Sequence, residues 1–148
     1  MTTIAWDGES IASDSQMTGD FKSVDQQKVF KLKKGPYRGA YAGGCGAVSA
    51  INQMIEMLED GEYEAIESDD DLSATVMVAL DTHALLFHSG STGIIKVAPP
   101  YAVGSGAPFA ITAMDCGKTA AEAVAAAIKR DPNSGGAVQV FCTKRRKK

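Results

Sequence analysis

Cysteine and histidine are scarce in this chain, and each shortage removes a class of protein. The three cysteines, Cys45, Cys116 and Cys142, are odd in number, widely spaced and form no CxxC pair. Only His83 and His88 are there to join them as ligands. That usage excludes a disulfide framework and a zinc site, and it fits a reducing compartment, so a cytoplasmic location is expected. Long apolar runs are missing too; stretches such as Ala74 to Leu80 are far too short to cross a bilayer. The opening Met-Thr-Thr-Ile has neither the basic region nor the apolar core of a signal peptide, so no membrane partner is expected. Standard catalytic signatures are absent as well: no G-x-S-x-G, no Walker loop, no H-E-x-x-H. Gly104-Ser-Gly106 starts like a dinucleotide loop but lacks the third glycine. Neither a cofactor nor a metal is expected.

What is present is an ordinary globular composition over 148 residues, 45% apolar and 22% charged, enough for one domain with a sizeable core. The net charge of −3 hides a division. Five of the 15 basic residues form the run Lys144 to Lys148, which leaves 10 basic against 18 acidic residues, a body of −8. A body of that sign argues against nucleic acid as a partner, because phosphate binding needs clustered Lys and Arg. The run at 144–148 reads as a disordered basic tail beyond a domain spanning 1–143.

Periodicity outlines the elements. Thr3 to Trp6 and Ser10 to Ser13 are short strand signals across Asp7-Gly8, a hairpin turn. Lys28 to Leu32 alternates in the strand manner, and Arg38 to Ala42 is a further strand candidate. From Ala47 to Leu58 the period changes: Val48, Ile51, Ile55 and Leu58 share a helical face with Met54 beside it. The acidic stretch from Glu56 to Asp71 lacks EF-hand spacing and reads as a solvated connection rather than a calcium site. Ala74 to Leu80 pairs with Ala84 to His88 across a turn, and Ile94 to Val97 and Tyr101 to Val103 follow as strands. Ala107 to Met114 and Thr119 to Arg130 read as helices, the second opened by a Thr119/Glu122 capping box, and Ala137 to Cys142 closes as a strand. This order predicts an α+β domain with an antiparallel sheet core and helices outside.

Among residues able to do chemistry, Cys45 reads as a small packing residue, and the two histidines, in or beside a turn, as structural or exposed ones. The remaining candidate is the N-terminus. Thr2 is small enough for aminopeptidase to remove Met1, which would leave a hydroxyl and a free α-amine on one residue. Such an amine titrates near pH 7.7–8.0 in isolation, so a modest downward shift makes it a base at neutral pH. Threonine activated by its own amine is an established type of nucleophile.

Further segments point the same way. Thr2-Thr-Ile-Ala, Asp14 within Ile11-Ala-Ser-Asp-Ser15, Lys28 opening Lys28-Val-Phe-Lys-Leu32, Tyr41-Ala-Gly-Gly44, Val103-Gly-Ser-Gly106 with Pro108-Phe109, and Arg130-Asp-Pro-Asn-Ser-Gly-Gly136 occur in that order. Together they resemble the proteasome β-subunit and HslV family of N-terminal threonine proteases, from Thr2 to about Cys142. The resemblance implies a four-layer α-β-β-α N-terminal-nucleophile hydrolase fold. It implies Thr2 as nucleophile, Lys28 as the charge that tunes the amine, and Asp14 as the carboxylate that pairs with the lysine. It implies Gly43 as the oxyanion-hole glycine, and Ser105, Asp131 and Ser134 as the hydrogen-bonding groups around the amine. It further implies a peptide or unfolded-protein substrate, a homo-oligomeric ring and an ATP-dependent unfoldase. No propeptide is expected ahead of Thr2, as in HslV.

The chain departs from the family in places. Gly43 to Ala47 lacks an aspartate that many members carry, the helical layer is expected to be trimmed around Glu59 to Ser73, and the basic tail has no counterpart. Two other functions stay open at this level: an amidohydrolase acting on a small amide, and a catalytically silent ring subunit. A scaffold, however, has no need of the matched polar residues.

Overall fold

In the computed structural model, residues 2–18, 22–23, 25–63, 73–90 and 93–143 are described. The tail at 144–148, Met1, Ser91 and most of the acidic connection lie outside them.

Strands β1 (Thr3–Trp6) and β2 (Ser10–Ser13) form the expected hairpin. Asp7 builds its turn: Oδ1 accepts the N–H groups of Glu9 and Ser10, each at 2.8 Å, and Gly8 takes φ 98°, which favours glycine. A short ribbon follows, β3 (Met17–Thr18) with β4 (Lys22–Ser23). Then come β5 (Val29–Lys31), β6 (Tyr41–Gly46), helix α1 (Val48–Asp60), β7 (Ala74–Ala79), β8 (Ala84–His88) and β9 (Ile94–Val97). The chain continues through β10 (Tyr101–Gly104), α2 (Ala107–Asp115), α3 (Ala120–Arg130) and β11 (Gln139–Cys142).

Two antiparallel sheets result, ordered β10-β1-β2-β11 and β5-β6-β7-β8-β9. Strand alternation assigns each side chain to a layer. Ile4, Trp6 and Ile11 point between the sheets, where they meet Val29, Met77 and Leu86. Their neighbours Ala5 and Ala12 point outward against Ala110, Ala123, Val124 and Ala127 of α2 and α3. On the far side, Met54 and Leu58 of α1 cover Val76, Val78 and Phe87. The order of layers is helix, sheet, sheet, helix: the α-β-β-α sandwich expected from the sequence.

The Thr119/Glu122 capping box forms as expected, with Glu122 N–H donating to Thr119 Oγ1 and Thr119 N–H to Glu122 Oε1. Asp7 adds a tertiary cap, its Oδ2 accepting the Ala120 N–H at 2.8 Å. Burial works against ionisation of Asp7, yet the Ala120, Ser10 and Glu9 amides hold it below its ordinary 3.8. A carboxyl depressed in the folded state adds stability above the unfolded value and loses it as pH falls through the folded one. Asp7→Ala is therefore expected to cost about 1–2 kcal/mol at neutral pH. Urea denaturation at pH 7 and pH 3 checks this; the gap between wild type and variant should shrink at the lower pH.

Two expectations are corrected. Arg38 to Ala42 is not the strand; β6 runs from Tyr41 to Gly46, because Gly35 and Gly39, both at φ 90°, turn the chain before it. The buried row of α1 is Ala50, Met54 and Leu58, whereas Val48 is 48% exposed and Ile51 half-buried. The rotation of the helix follows from the glycines beneath it. A Cβ on Gly44 would lie 2.6 Å from Ile51 Cγ2, and one on Gly43 2.8 Å from Ile4 Cδ1. These glycines let a strand fit between α1 and β1. Gly44→Ala is expected to destabilise the protein by about 1–3 kcal/mol by overpacking, measurable as a lower urea midpoint.

Candidate active site

The expected site residues come from separate segments, and antiparallel pairing brings them to one end of the sandwich. Thr2 precedes β1, Asp14 follows β2, and Ser105 follows β10, whose Gly104 pairs with Thr3. Lys28 precedes β5, Asp131 closes α3, and Ser134 lies ahead of β11.

Asp14 is fully buried and surrounded by donors. Oδ1 accepts from Lys28 Nζ at 2.9 Å and Thr3 N–H at 3.1 Å; Oδ2 accepts from Gln16 N–H at 3.3 Å and Gly135 N–H at 3.1 Å. One ammonium and three amides offset the cost of burying this charge. The pair fixes the lysine, whose side chain is 10% exposed, so that Nζ also donates to Thr2 Oγ1 at 3.0 Å.

A second network lies on the other side of Thr2. The hydroxyls of Ser105 and Ser134 both donate to Asp131 Oδ2 at 2.6 Å, and Asn133 N–H donates to Oδ1 at 3.0 Å. Burial opposes ionisation of Asp131, but those two hydroxyls and the amide hold it below its ordinary 3.8, so it is a carboxylate at neutral pH. Since Ser134 spends its proton on Asp131, the 2.7 Å contact between Thr3 and Ser134 has Thr3 Oγ1 donating.

Thr2 stands where two clefts meet. The first, about 250 Å³, is lined by Lys28, by Gln16, Gln26 and Gln27, and by apolar Phe30 and Val48. The second, about 650 Å³, is lined by Cys45, Thr75, His88, Ser105 and Asn133. Gly43 is not among the lining residues of either cleft. It is buried in β6 between Val29 and Met77, and Gly44 and Gly46 line the clefts instead. Burial pushes the Cys45 thiol above its ordinary 9.0, which suits packing and not nucleophilic attack. His83 bonds Thr82 and His88 bonds Thr75, while the Ser105 hydroxyl goes to Asp131, so no Ser–His arrangement forms among these groups.

Sequence reasoning missed Thr3 and Gln16. Thr3 is fully buried and belongs to both networks, through its N–H and its hydroxyl. Its signal was a polar residue at the start of an otherwise apolar buried strand. Nothing local marks Gln16, which matters only through what folds against it, and His88, read as structural or exposed, is half-buried beside Thr75.

Comparison with solved structures follows from this geometry. The chain matches Thiobacillus denitrificans BPH with a TM-score of 0.69 and 20% identity, over 97% of each chain. It matches eukaryotic HslV from Trypanosoma brucei with a TM-score of 0.69 and 18% identity, over 97% of this chain and 99% of the other. The fold is that of HslV. The Thiobacillus protein in complex with epoxomicin matches as well, at a TM-score of 0.65 and 18% identity over 97% of each chain. No protein-family model and no curated protein sequence matches the chain. Within this HslV fold, no helix among the described residues is long and apolar enough to cross a membrane. Nor do the described residues hold a cluster of three or more His, Cys, Asp or Glu able to bind a metal.

Proposed function

We propose that this protein is a threonine peptidase that cleaves peptide bonds with Thr2 as its nucleophile once the Thr2 α-amine is free. The observation that carries this reading is the Lys28 ammonium, held by buried Asp14 and donating to Thr2 Oγ1 at the junction of two clefts. The HslV fold supports it.

The chemistry follows from these positions. The free amine takes the Oγ1 proton while the Lys28 charge stabilises the developing alkoxide. Oγ1 attacks the substrate carbonyl, and the oxyanion is met by backbone N–H donors of the Gly43 to Gly46 stretch. The protonated amine then gives its proton to the departing peptide amine, leaving an ester on Thr2. Water attacks that ester with the amine again as base, and the carboxylic acid leaves. Ser105, Asp131 and Ser134 orient the amine.

An open nucleophile of this kind would cut proteins indiscriminately, so enclosure in a homo-oligomeric ring, fed by an ATP-dependent unfoldase in the cytoplasm, belongs to the same proposal. Light scattering should then show a species several times 15.5 kDa.

Epoxomicin, present in the Thiobacillus complex, is the first inhibitor to try. A peptide epoxyketone should join both Thr2 Oγ1 and the α-amine, since only an N-terminal hydroxyl residue offers those nucleophiles on adjacent carbons. Mass spectrometry should locate the adduct on the Thr2 peptide. An adduct without peptide turnover would favour a small-amide hydrolase. Neither adduct nor turnover would favour a silent subunit.

A further inference from the structure

We infer that His88 is a specificity-determining residue that reads a carboxylate on the leaving-side segment of the substrate. This rests on the peptidase reading above. Three paired strands place Cys45, Thr75 and His88 in one cross-strand row, Cys45 opposite Thr75 and Thr75 opposite His88. The row lies at the end of the inter-sheet space, and all three residues line the larger cleft beside Thr2.

Which side of the scissile bond this cleft receives follows from proton traffic. The departing amine takes its proton from the Thr2 amine, which is oriented by the network containing Ser105. Ser105 lines the larger cleft, whereas Lys28 lines the smaller one. The leaving segment therefore lies along Ser105 and His88, and the acyl-side residue enters the smaller cleft.

The larger cleft is suited to an anionic group. Among the described residues, no Asp or Glu lines it, and His88 is the one described lining side chain that can carry positive charge. Cys45 is kept neutral by burial. Asp131 lies near but does not line the cleft, and its oxygens are occupied by Ser105, Ser134 and Asn133. Thr75 Oγ1 lies 2.9 Å from His88 Nδ1. With the Thr75 hydroxyl donating, the neutral ring carries its proton on Nε2, and the protonated ring carries one there as well. The protonated ring offers that Nε2 donor to a carboxylate in the cleft whichever way the Thr75 bond runs, and the neutral ring offers it when Thr75 donates.

The test uses the full chain in its native assembly and peptides identical up to the scissile bond. The first three residues after the bond carry Glu, Gln or Lys. Wild type is expected to cleave the Glu series about tenfold faster than the Lys series in kcat/KM. In His88→Ala that ratio should fall to within about twofold, and in His88→Asp it should invert, as charge complementarity requires. Circular dichroism and labelling of Thr2 by the epoxyketone confirm that each variant is folded with its nucleophile intact. An active wild type with no Glu preference, or a preference that survives His88→Ala, overturns the inference and leaves the peptidase reading standing. Failure of wild type to cleave any peptide or to form the Thr2 adduct overturns the peptidase reading, and this inference with it.

Discussion

Thr2→Ala is expected to lower kcat/KM on peptides by about 10⁴-fold or more while the fold survives. The substitution removes only a hydroxyl and a methyl, and the position lies outside the paired strands, so the sandwich does not depend on it. What is lost is the atom to which Lys28 donates at 3.0 Å. Thr2→Ser keeps both hydroxyl and amine and should retain part of the activity. A residue that cannot be removed ahead of Thr2 should be as damaging as alanine, because an amide nitrogen has no basic lone pair. Intact mass together with peptidase assays on the three proteins settles the matter. Wild-type rates in Thr2→Ala would eliminate Thr2 as nucleophile, and wild-type rates in the extended protein would eliminate the amine as base.

Asp14→Ala should be the most destabilising of the site substitutions, at about 3–5 kcal/mol, because it strands a charge with little access to solvent. Lys28 would lose its counter-ion while only 10% exposed, and three backbone amides would lose their acceptor. Lys28→Met alone leaves a buried carboxylate with amide donors only. The double variant Asp14→Ala/Lys28→Met should therefore be less destabilised than the two singles added together. Urea denaturation of the four proteins measures that coupling. Lys28→Met should also remove peptidase activity, and strict additivity with full activity would show the pair to be an incidental contact.

The elements legible in the sequence were those whose energy is local. Alternation in Thr3 to Trp6, the Asp7-Gly8 turn and the Thr119/Glu122 capping box each depend on residues within a few positions of one another, and each formed as expected. The glycine run misled for the same reason. Glycine is a poor strand former by itself, so the local signal favours Arg38 to Ala42, whereas β6 runs from Tyr41 to Gly46. Its glycines are there because Ile4 presses on one face and Ile51 on the other. The apolar face of α1 was legible, but not its rotation: the buried row is Ala50, Met54 and Leu58, and Val48 is left to line the first cleft.

For the site the same division holds. Sequence alone determined the α+β class with its antiparallel pairing and the helix and turn signals; the family resemblance of its ordered motifs pointed to six polar residues, Thr2, Asp14, Lys28, Ser105, Asp131 and Ser134, which the structure places at one end of the sandwich. Capping and turn signals carry the first part because their energy is local; the six residues came from the resemblance of the motifs, not from spacing or geometry. Only the tertiary structure decided that Gly43 is buried beneath the clefts while Gly44 and Gly46 line them. It alone put Thr3 into both hydrogen-bond networks and turned His88, a strand-end histidine without a local signature, toward the cleft beside Thr2. The physical reason is that these placements depend on register and layer packing between strands far apart in sequence, where a shift of one residue sends a side chain to the opposite face.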